Sequence, residues 1–118
     1  MSPSYQAATR PPDVLARVTL LRTEEGGRTS PAHTGYRPQH RIKPDYLTSG
    51  SHEYVGTKTL APGETADTYI TFLTPEAYPR TLHTGLVLEV AEGSRIVGYA
   101  EVLDVYNELL RDGQPEEP

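Results

Sequence analysis

The sequence contains no cysteine and no tryptophan, and only one methionine and one phenylalanine among its 118 residues. The absence of cysteine excludes disulfide frameworks, zinc ribbons, cysteine nucleophiles and thiol redox motifs. No apolar run approaches the ~18 residues that a transmembrane helix needs. The opening MSPSYQAATRPP has neither the basic nor the apolar region of an export signal. We therefore expect a cytoplasmic protein with no membrane partner.

Positive charge is also scarce. Eleven lysines and arginines stand against sixteen acidic residues, which gives a formal net charge of −5. A surface with that balance disfavours non-specific binding to DNA through phosphate contacts. The sequence has no G-x-x-x-x-G-K-[ST] loop, so nothing cradles nucleotide phosphates. We expect no DNA partner, no nucleotide and no other cofactor, although a local basic patch is still allowed.

Signatures of catalysis and metal binding are missing as well. His33, His40, His52 and His83 are separated by 7, 12 and 31 positions, which matches no pair of metal ligands on one element. Neither a nucleophile elbow nor a Ser–His–Asp arrangement stands out. We predict that the chain is not an enzyme and holds no metal.

The sequence does contain a β pattern between two polar ends. We predict a disordered tail over residues 1–12, one folded domain over 13–110 and an acidic, disordered tail over 111–118. Within the folded part, six segments are rich in alternating apolar, β-branched or aromatic residues. These predicted strands are 14–21, 36–43, 53–60, 68–73, 85–91 and 95–106.

The connections refine this pattern. A short loop at 92–94 joins the last two strands in the most secure hairpin, and NELLR at 107–111 predicts one helical turn. Pro38 and Pro44 each remove a backbone donor and confine the second strand to an edge or to a strand end. Six short strands without a long amphipathic helix predict a small all-β, antiparallel barrel or sandwich.

Four sequence blocks carry a resemblance. EGGRTSPAHTGYRPQ at 25–39 is similar to the pattern E-G-G-R-H-T-P-F-F-K-G-Y-R-P-Q of the C-terminal, third domain of bacterial elongation factor Tu. The identical positions are Glu25, Gly26, Gly27, Arg28, Pro31, Gly35, Tyr36, Arg37, Pro38 and Gln39. APGE at 61–64, LTP at 73–75 and EGSRIVGY at 92–99 resemble later blocks of the same domain, in the same order.

The resemblance covers about residues 14–106 and implies a six-stranded antiparallel β-barrel. The GTPase domain and the second barrel of the factor have no counterpart in these residues, so the resemblance implies binding without GTP hydrolysis. In the factor, this barrel contacts the T-arm of aminoacyl-tRNA, the GTPase domain and part of the exchange factor. We therefore expect tRNA or a protein of the bacterial translation apparatus as the partner.

The T-arm contacts of the family are half retained. Gln39, Thr48 and Gly93 match family contact residues, whereas Thr74 replaces the family's lysine. Lys43 keeps the charge of a family arginine. Since one lysine accounts for about one phosphate contact, its loss matters where only a few such contacts exist.

The residues also suggest contacts independently of the family. Arg28, Arg37, Arg41 and Lys43 form either a basic patch for RNA phosphate or an acidic partner, or a solvated strand with scattered ion pairs. By period two, the last three share one face. Arg28 either reaches a partner or caps a hairpin shaped by the two glycines before it.

The loop 75–85 is longer than its family counterpart and offers Tyr78, Arg80 and His83 as further contacts, unless it is a tolerated insertion.

Three functions remain open. The chain presents a surface like that of the factor's third domain to tRNA or a translation protein. Alternatively, it is an immunity protein or decoy against a toxin that targets the factor or tRNA. The third alternative is a scaffold with a role unrelated to translation.

Overall fold

The computed structural model describes residues 10–112. Eight strands and three short 3-10 turns follow one another along this part of the chain. The strands are β1 (Val14–Leu20), β2 (Ala32–His33), β3 (Gln39–Lys43), β4 (Tyr46–Tyr54), β5 (Thr59–Leu60), β6 (Thr65–Phe72), β7 (Val87–Glu92) and β8 (Arg95–Val105). The 3-10 turns are Thr23–Glu25, Pro75–Ala77 and Glu108–Leu110.

Six strands close into an antiparallel barrel in the order β1-β6-β4-β3-β7-β8, and β2 pairs with β5 in a separate two-stranded ladder. The predicted six-stranded antiparallel barrel is confirmed. β1 completes the closure because it pairs with β6 on one side and with β8 on the other. The barrel interior is the hydrophobic core.

β1 shows how the sequence produces a strand of the barrel. Val14, Ala16 and Val18 are fully buried, and the residues between them face outward. This period-two pattern packs one face of the strand into the barrel. The predicted hairpin is also confirmed, since β7 and β8 are joined through Gly93 and Ser94, and Gly93 has a φ of +62°.

The third strand was predicted wrongly at 53–60. The continuous strand is β4, which begins at Tyr46 and ends at Tyr54, and Gly56 lies in the bend after it with a φ of +83°. The inward positions of β4 include Thr48, Gly50 and His52, so its sequence has no apolar alternation. Gly50 fits because a Cβ there would lie only 2.9 Å from His40 Cε1 and 2.9 Å from Ile70 Cγ2.

The other predicted elements differ by a few residues at their ends. β3 begins just after Pro38 and ends just before Pro44, as the missing backbone donors require. The predicted helical turn is confirmed at Glu108–Leu110, where the Leu109 N–H donates to Asn107 Oδ1 at 3.0 Å.

The loop after β6 is fixed to the C-terminal turn. The Arg80 N–H donates to the carbonyl oxygen of Leu109, and that of Leu82 to the carbonyl oxygen of Leu110, both at 2.9 Å. Leu82, Leu110 and Tyr78 are each at most 1% exposed. The long loop therefore covers the core.

The predicted tails fall mainly at 1–9 and 113–118, which lie outside the described residues. Of the remainder, Arg10 donates to both carboxylate oxygens of Asp13, and the Arg111 guanidinium donates to the carbonyl oxygen of Val105 at 2.7 Å. None of the helices within residues 10–112 has the length and apolar character that a membrane crossing requires.

Candidate binding surface

The outward side of β3 brings together most of the predicted contact residues. His40 and Ile42 point into the barrel, so Gln39, Arg41 and Lys43 point outward. Arg37 belongs to the same row, because the segment before β3 continues the pairing through Gly50 N–H to the Pro38 carbonyl at 3.1 Å. We call these four outward residues, Arg37, Gln39, Arg41 and Lys43, the β3 face. The predicted sharing of one face assumed a regular strand, whereas β3 begins at Gln39 and its pairing with β4 shifts register between Arg41 and Lys43.

A cleft of about 320 Å³ adjoins the β3 face at its Arg37 end. Its polar lining residues are Arg10, Arg37, Ser49, Ser51 and Thr71, and the rest of the lining is Gly50, Phe72 and Leu73. We call it the arginine cleft. Cationic and hydroxyl donors around one concave space suit an oxyanion such as a phosphate or carboxylate.

The two arginines of the cleft differ in freedom. Arg10 donates to Asp13 at 2.9 and 3.1 Å and to the carbonyl oxygen of Phe72 at 2.6 Å. The hydrogen bond to Asp13 raises the pKa of Arg10 above its ordinary value, although burial opposes the shift. Arg37 is exposed, and within residues 10–112 its side chain makes no ion pair. The charge of Arg10 is therefore compensated by Asp13, whereas the charge of Arg37 is free to reach a ligand.

The Arg28 side chain contacts other residues of this chain. It forms an ion pair with Glu92, and its guanidinium carbon lies 4.7 Å from the centre of the Tyr36 ring. Tyr36 Oη donates to the same Glu92 oxygen at 2.5 Å. Arg28 also donates to the carbonyl oxygens of Ser30 and Pro31. Its side chain is 20% exposed, so it ties the loop after β1 to the β7–β8 hairpin.

The pKa shifts of Glu92 and Tyr36 reflect the same contact. Burial alone would raise the pKa of Glu92, but the hydrogen bonds from Tyr36 and Arg28 outweigh it and the pKa is lowered. Burial raises the pKa of Tyr36, and the hydrogen bond to Glu92 adds to the rise. The carboxylate is thus held ionised between a phenol and a guanidinium.

Gln39 and Gly93 lie near each other at one end of the barrel. Gln39 is in register with Ala91 of β7 and with Ser49 of β4. Gly93 follows two residues after Ala91, in the exposed hairpin turn. A Cβ on Gly93 would meet nothing within 4 Å, so the turn is open to a large partner.

The charge of Arg41 is compensated by a carboxylate, whereas that of Lys43 is not. Arg41 Nε donates to Oε1 of Glu89 in β7 at 2.8 Å, and this ion pair neutralises the Arg41 guanidinium. Lys43 Nζ lies 5.9 Å from the centre of the Tyr46 ring and has no carboxylate in ion-pair range among residues 10–112. The basic character of the β3 face therefore comes mainly from Arg37 and Lys43.

Two predicted contacts lie in the interior. Thr48 is 6% exposed, and its hydroxyl donates to the carbonyl oxygen of Leu73 at 3.2 Å. Tyr78 is 1% exposed, and its hydroxyl donates to the same carbonyl at 2.9 Å. Burial raises the pKa of Tyr78 to about 12, although the hydrogen bond with Thr48 opposes the rise. Neither side chain can touch a partner without local opening.

The other two loop residues are on the surface. Arg80 is exposed and has a φ of +60°. His83 Nδ1 lies 3.5 Å from Asp112 Oδ2. Both lie in the loop between β6 and β7.

Sequence reasoning missed Arg10 because it was assigned to the tail. Its spacing of three from Asp13 was the available signal, but only the fold shows that Asp13 also accepts from the Phe72 N–H at 2.6 Å. Ser49 and Ser51 were missed with β4 itself. In the part of the chain that the structure describes, no group of three His, Cys, Asp or Glu side chains could hold a metal ion.

No protein-family model matches this sequence. The arrangement of the β3 face and the arginine cleft is therefore the main guide to function.

Proposed function

We propose that the chain is a non-enzymatic binding module similar to the third domain of elongation factor Tu, and that it presents the β3 face and the arginine cleft to tRNA. The observation that carries the proposal is a cleft lined by Arg10 and Arg37 on a six-stranded antiparallel barrel, with Gln39 in register with the lining residue Ser49. Phosphate contacts from arginine and hydroxyl groups position a nucleic acid without reading its sequence.

The contact between the sequence blocks supports this proposal. The block at 25–39 contributes Arg28 and Tyr36, and the block at 92–99 contributes Glu92, and these three side chains form one cluster. The residues that most resemble the factor thus stabilise the end of the barrel that carries Gln39 and Gly93.

The departures from the family pattern determine how strongly we expect the chain to bind tRNA. Thr74 provides no charge where the family has lysine, and Thr48 is buried. Arg10 is paired with Asp13, so Arg37 and Lys43 remain as the uncompensated phosphate contacts. With two such contacts, the slope of log K against log salt should be about −2.

The first test is the binding of purified bacterial tRNA by fluorescence anisotropy over a series of salt concentrations. Arg37→Ala removes the free guanidinium, so we expect binding to weaken about tenfold and the salt slope to fall by about 1. Gln39→Ala should weaken binding without changing the slope. Arg17→Ala is the matched control, since Arg17 is exposed on β1, across the barrel, beside Asp67. Wild-type binding by both β3 variants would refute the proposal.

A capture experiment separates RNA from protein partners. The immobilised chain is incubated with bacterial lysate, and half of the sample is treated with RNase. Enrichment of tRNA that disappears with RNase supports the proposal. Retention of one protein in both halves, with no tRNA, contradicts it and indicates a protein-binding mimic, including the immunity or decoy role.

A further inference from the structure

The outer side of β8 carries aromatic and acidic side chains together. Tyr99, Glu101 and Asp104 point outward from the strand, Tyr106 follows at its end, and Val87 lies opposite Glu101 on β7. We call these five residues the β8 strip. Tyr99, Tyr106 and Val87 are 40%, 43% and 55% exposed, and they are half of the large hydrophobic side chains exposed within residues 10–112. Such clustering marks a contact surface more than scattered exposure does.

Tyr106 extends the strip across β1 to β6. Its ring centre lies 6.4 Å from that of Tyr69, with 38° between the two planes. Leu15 of β1 is in register with both Tyr69 and Asp104. Burial raises the pKa of Tyr106, and the neighbouring Tyr69 and Asp104 add to the rise. The aromatic end of the strip therefore lies beside the Asp104 carboxylate.

The carboxylates of the strip are not compensated. Glu101 and Asp104 make no ion pair within residues 10–112. Arg17 is in register with Glu101, but its ion pair is with Asp67. The other arginines beside the strip also have carboxylate partners. These pairs are Arg41 with Glu89 and Arg111 with Glu108.

This charge selects a basic occupant. tRNA is a polyanion, which the two carboxylates repel. The sequence at 1–9 and 113–118 contains no lysine or arginine, and a second copy of the chain has a net charge of −5. These alternatives therefore do not complement the strip.

An arginine side chain matches each feature of the strip. Its guanidinium pairs with a carboxylate and also stacks on the face of a tyrosine ring. Its aliphatic stem covers apolar surface such as that of Val87.

We propose that the β8 strip docks an extended segment of a protein partner that presents arginine at alternate positions. Alternate residues of an extended chain lie about 6.6 Å apart on one face. A register irregularity in β8 lets Glu101 and Asp104 both point outward although they are three positions apart. Two arginines pair with these carboxylates, and the flanking arginines stack on Tyr99 and Tyr106.

The test uses three blocked heptapeptides in which threonine alternates with arginine, lysine or glutamate. Each is titrated into the ¹⁵N-labelled full chain, and amide shifts are recorded by NMR. We expect the arginine peptide to shift the amides of Tyr99, Glu101 and Asp104. The lysine peptide should bind about two- to threefold more weakly, because an ammonium group does not stack on tyrosine as a guanidinium does. The glutamate peptide should leave these amides unshifted.

Variants identify the site. Asp104→Asn should weaken the arginine peptide about threefold. Asp45→Asn is the matched control, since it makes an equal charge change at an exposed position in the turn between β3 and β4, and it should leave binding unchanged. Tyr106→Leu keeps an apolar side chain but removes the ring face, and should weaken binding about twofold. If Asp104→Asn disturbs the fold, Glu101→Gln replaces it in the same comparison.

The β8 strip contains none of the residues proposed to bind tRNA. Arg37→Ala should therefore leave peptide binding intact, so the two proposals succeed or fail separately. The docking proposal is overturned if the arginine peptide does not shift the strip, if the lysine or glutamate peptide binds equally well, or if both aspartate variants have equal effects. It is also overturned if tRNA shifts these amides, or if sedimentation shows that the strip joins two copies of the chain.

Discussion

Two histidines inside the barrel form a buried pair with fixed tautomers. His40 Nδ1 lies 3.2 Å from the carbonyl oxygen of Thr48, which can only accept, so this nitrogen carries a proton. His40 Nε2 must then accept from His52 Nε2–H at 2.8 Å. Both rings are fully buried, and His52 Nδ1 has no hydrogen-bond partner among the described residues. A second proton on either ring would be a buried, uncompensated charge.

This pair predicts loss of stability in acid. Burial lowers the pKa of His40 to about 4, although the Thr48 carbonyl opposes the shift. Burial and the neighbouring His40 lower the pKa of His52 well below its ordinary value. In the unfolded chain both titrate near ~6.5. Between about pH 6.5 and 4 the unfolded state therefore binds more protons, and the free energy of unfolding should fall by up to ~1.4 kcal/mol per pH unit for each histidine.

Urea unfolding between pH 7.5 and 4.5 measures this fall. His33→Gln removes an exposed histidine and serves as the control variant. Ring-proton NMR of the folded chain should show two histidines that do not titrate above about pH 5. A flat stability profile, or four histidines that titrate near ~6.5 in the folded chain, would contradict this account.

At the scale of elements, the C-terminal 3-10 turn is an integral part of the fold. Asn107 anchors it, since its Nδ2 donates to the buried Asp13 Oδ1 at 2.8 Å. Leu110 is fully buried under the loop after β6, whereas the adjacent Leu109 is 44% exposed. The two leucines provide a matched pair on one short element.

We expect Leu110→Ala to lower the free energy of unfolding by about 2–5 kcal/mol, because it removes a buried side chain and leaves a cavity. Leu109→Ala should change it by no more than ~0.5 kcal/mol. Urea unfolding at neutral pH compares the two variants with the wild type. Equal effects would mean that the turn does not seal the barrel.

The elements also show what the sequence could and could not predict. β1 was predictable because Val14, Ala16 and Val18 alternate with polar residues. β4 was not, because Thr48, Gly50 and His52 are inward positions that are small or polar, and Gly50 fits only after His40 and Phe72 are placed around it.

The candidate site also contains some residues that the sequence could predict and others that it could not. Arg37 and Gln39 could be assigned to one outer face from their spacing of two residues. The contact of Arg10 with Phe72 joins residues 62 positions apart, and the burial of Thr48 depends on Tyr78 thirty positions away. Pairings of that range arise from the closed barrel and leave no local pattern in the sequence.

At the scale of the whole molecule, charge is distributed unevenly around the barrel. Arg37 and Lys43 face outward beside β3. Across the barrel, Arg17 of β1 is in register with two carboxylates, Asp67 of β6 and Glu101 of β8. An acidic chain can therefore still present one basic side to a polyanion, and the opposite side disfavours the reverse orientation.

Barrel closure also predicts slow folding. β1 pairs with β8, so that Ala16 lies opposite Val102, and such non-local contacts slow folding relative to helical proteins. We expect the main refolding phase in the millisecond to second range. Stopped-flow fluorescence can follow it through the eight tyrosines, since the chain has no tryptophan. Refolding in microseconds would contradict the dominance of barrel closure.

The pairing of β1 with β8 has a consequence for synthesis on the ribosome. The first strand leaves the exit tunnel long before its partner, which ends at Val105. Until then, β1 can pair only with β6, and the edge of β1 that pairs with β8 in the closed barrel stays unpaired. A nascent chain stopped before Val105 would expose both β1 and β7, and would be a substrate for chaperones and proteases rather than a shorter working barrel.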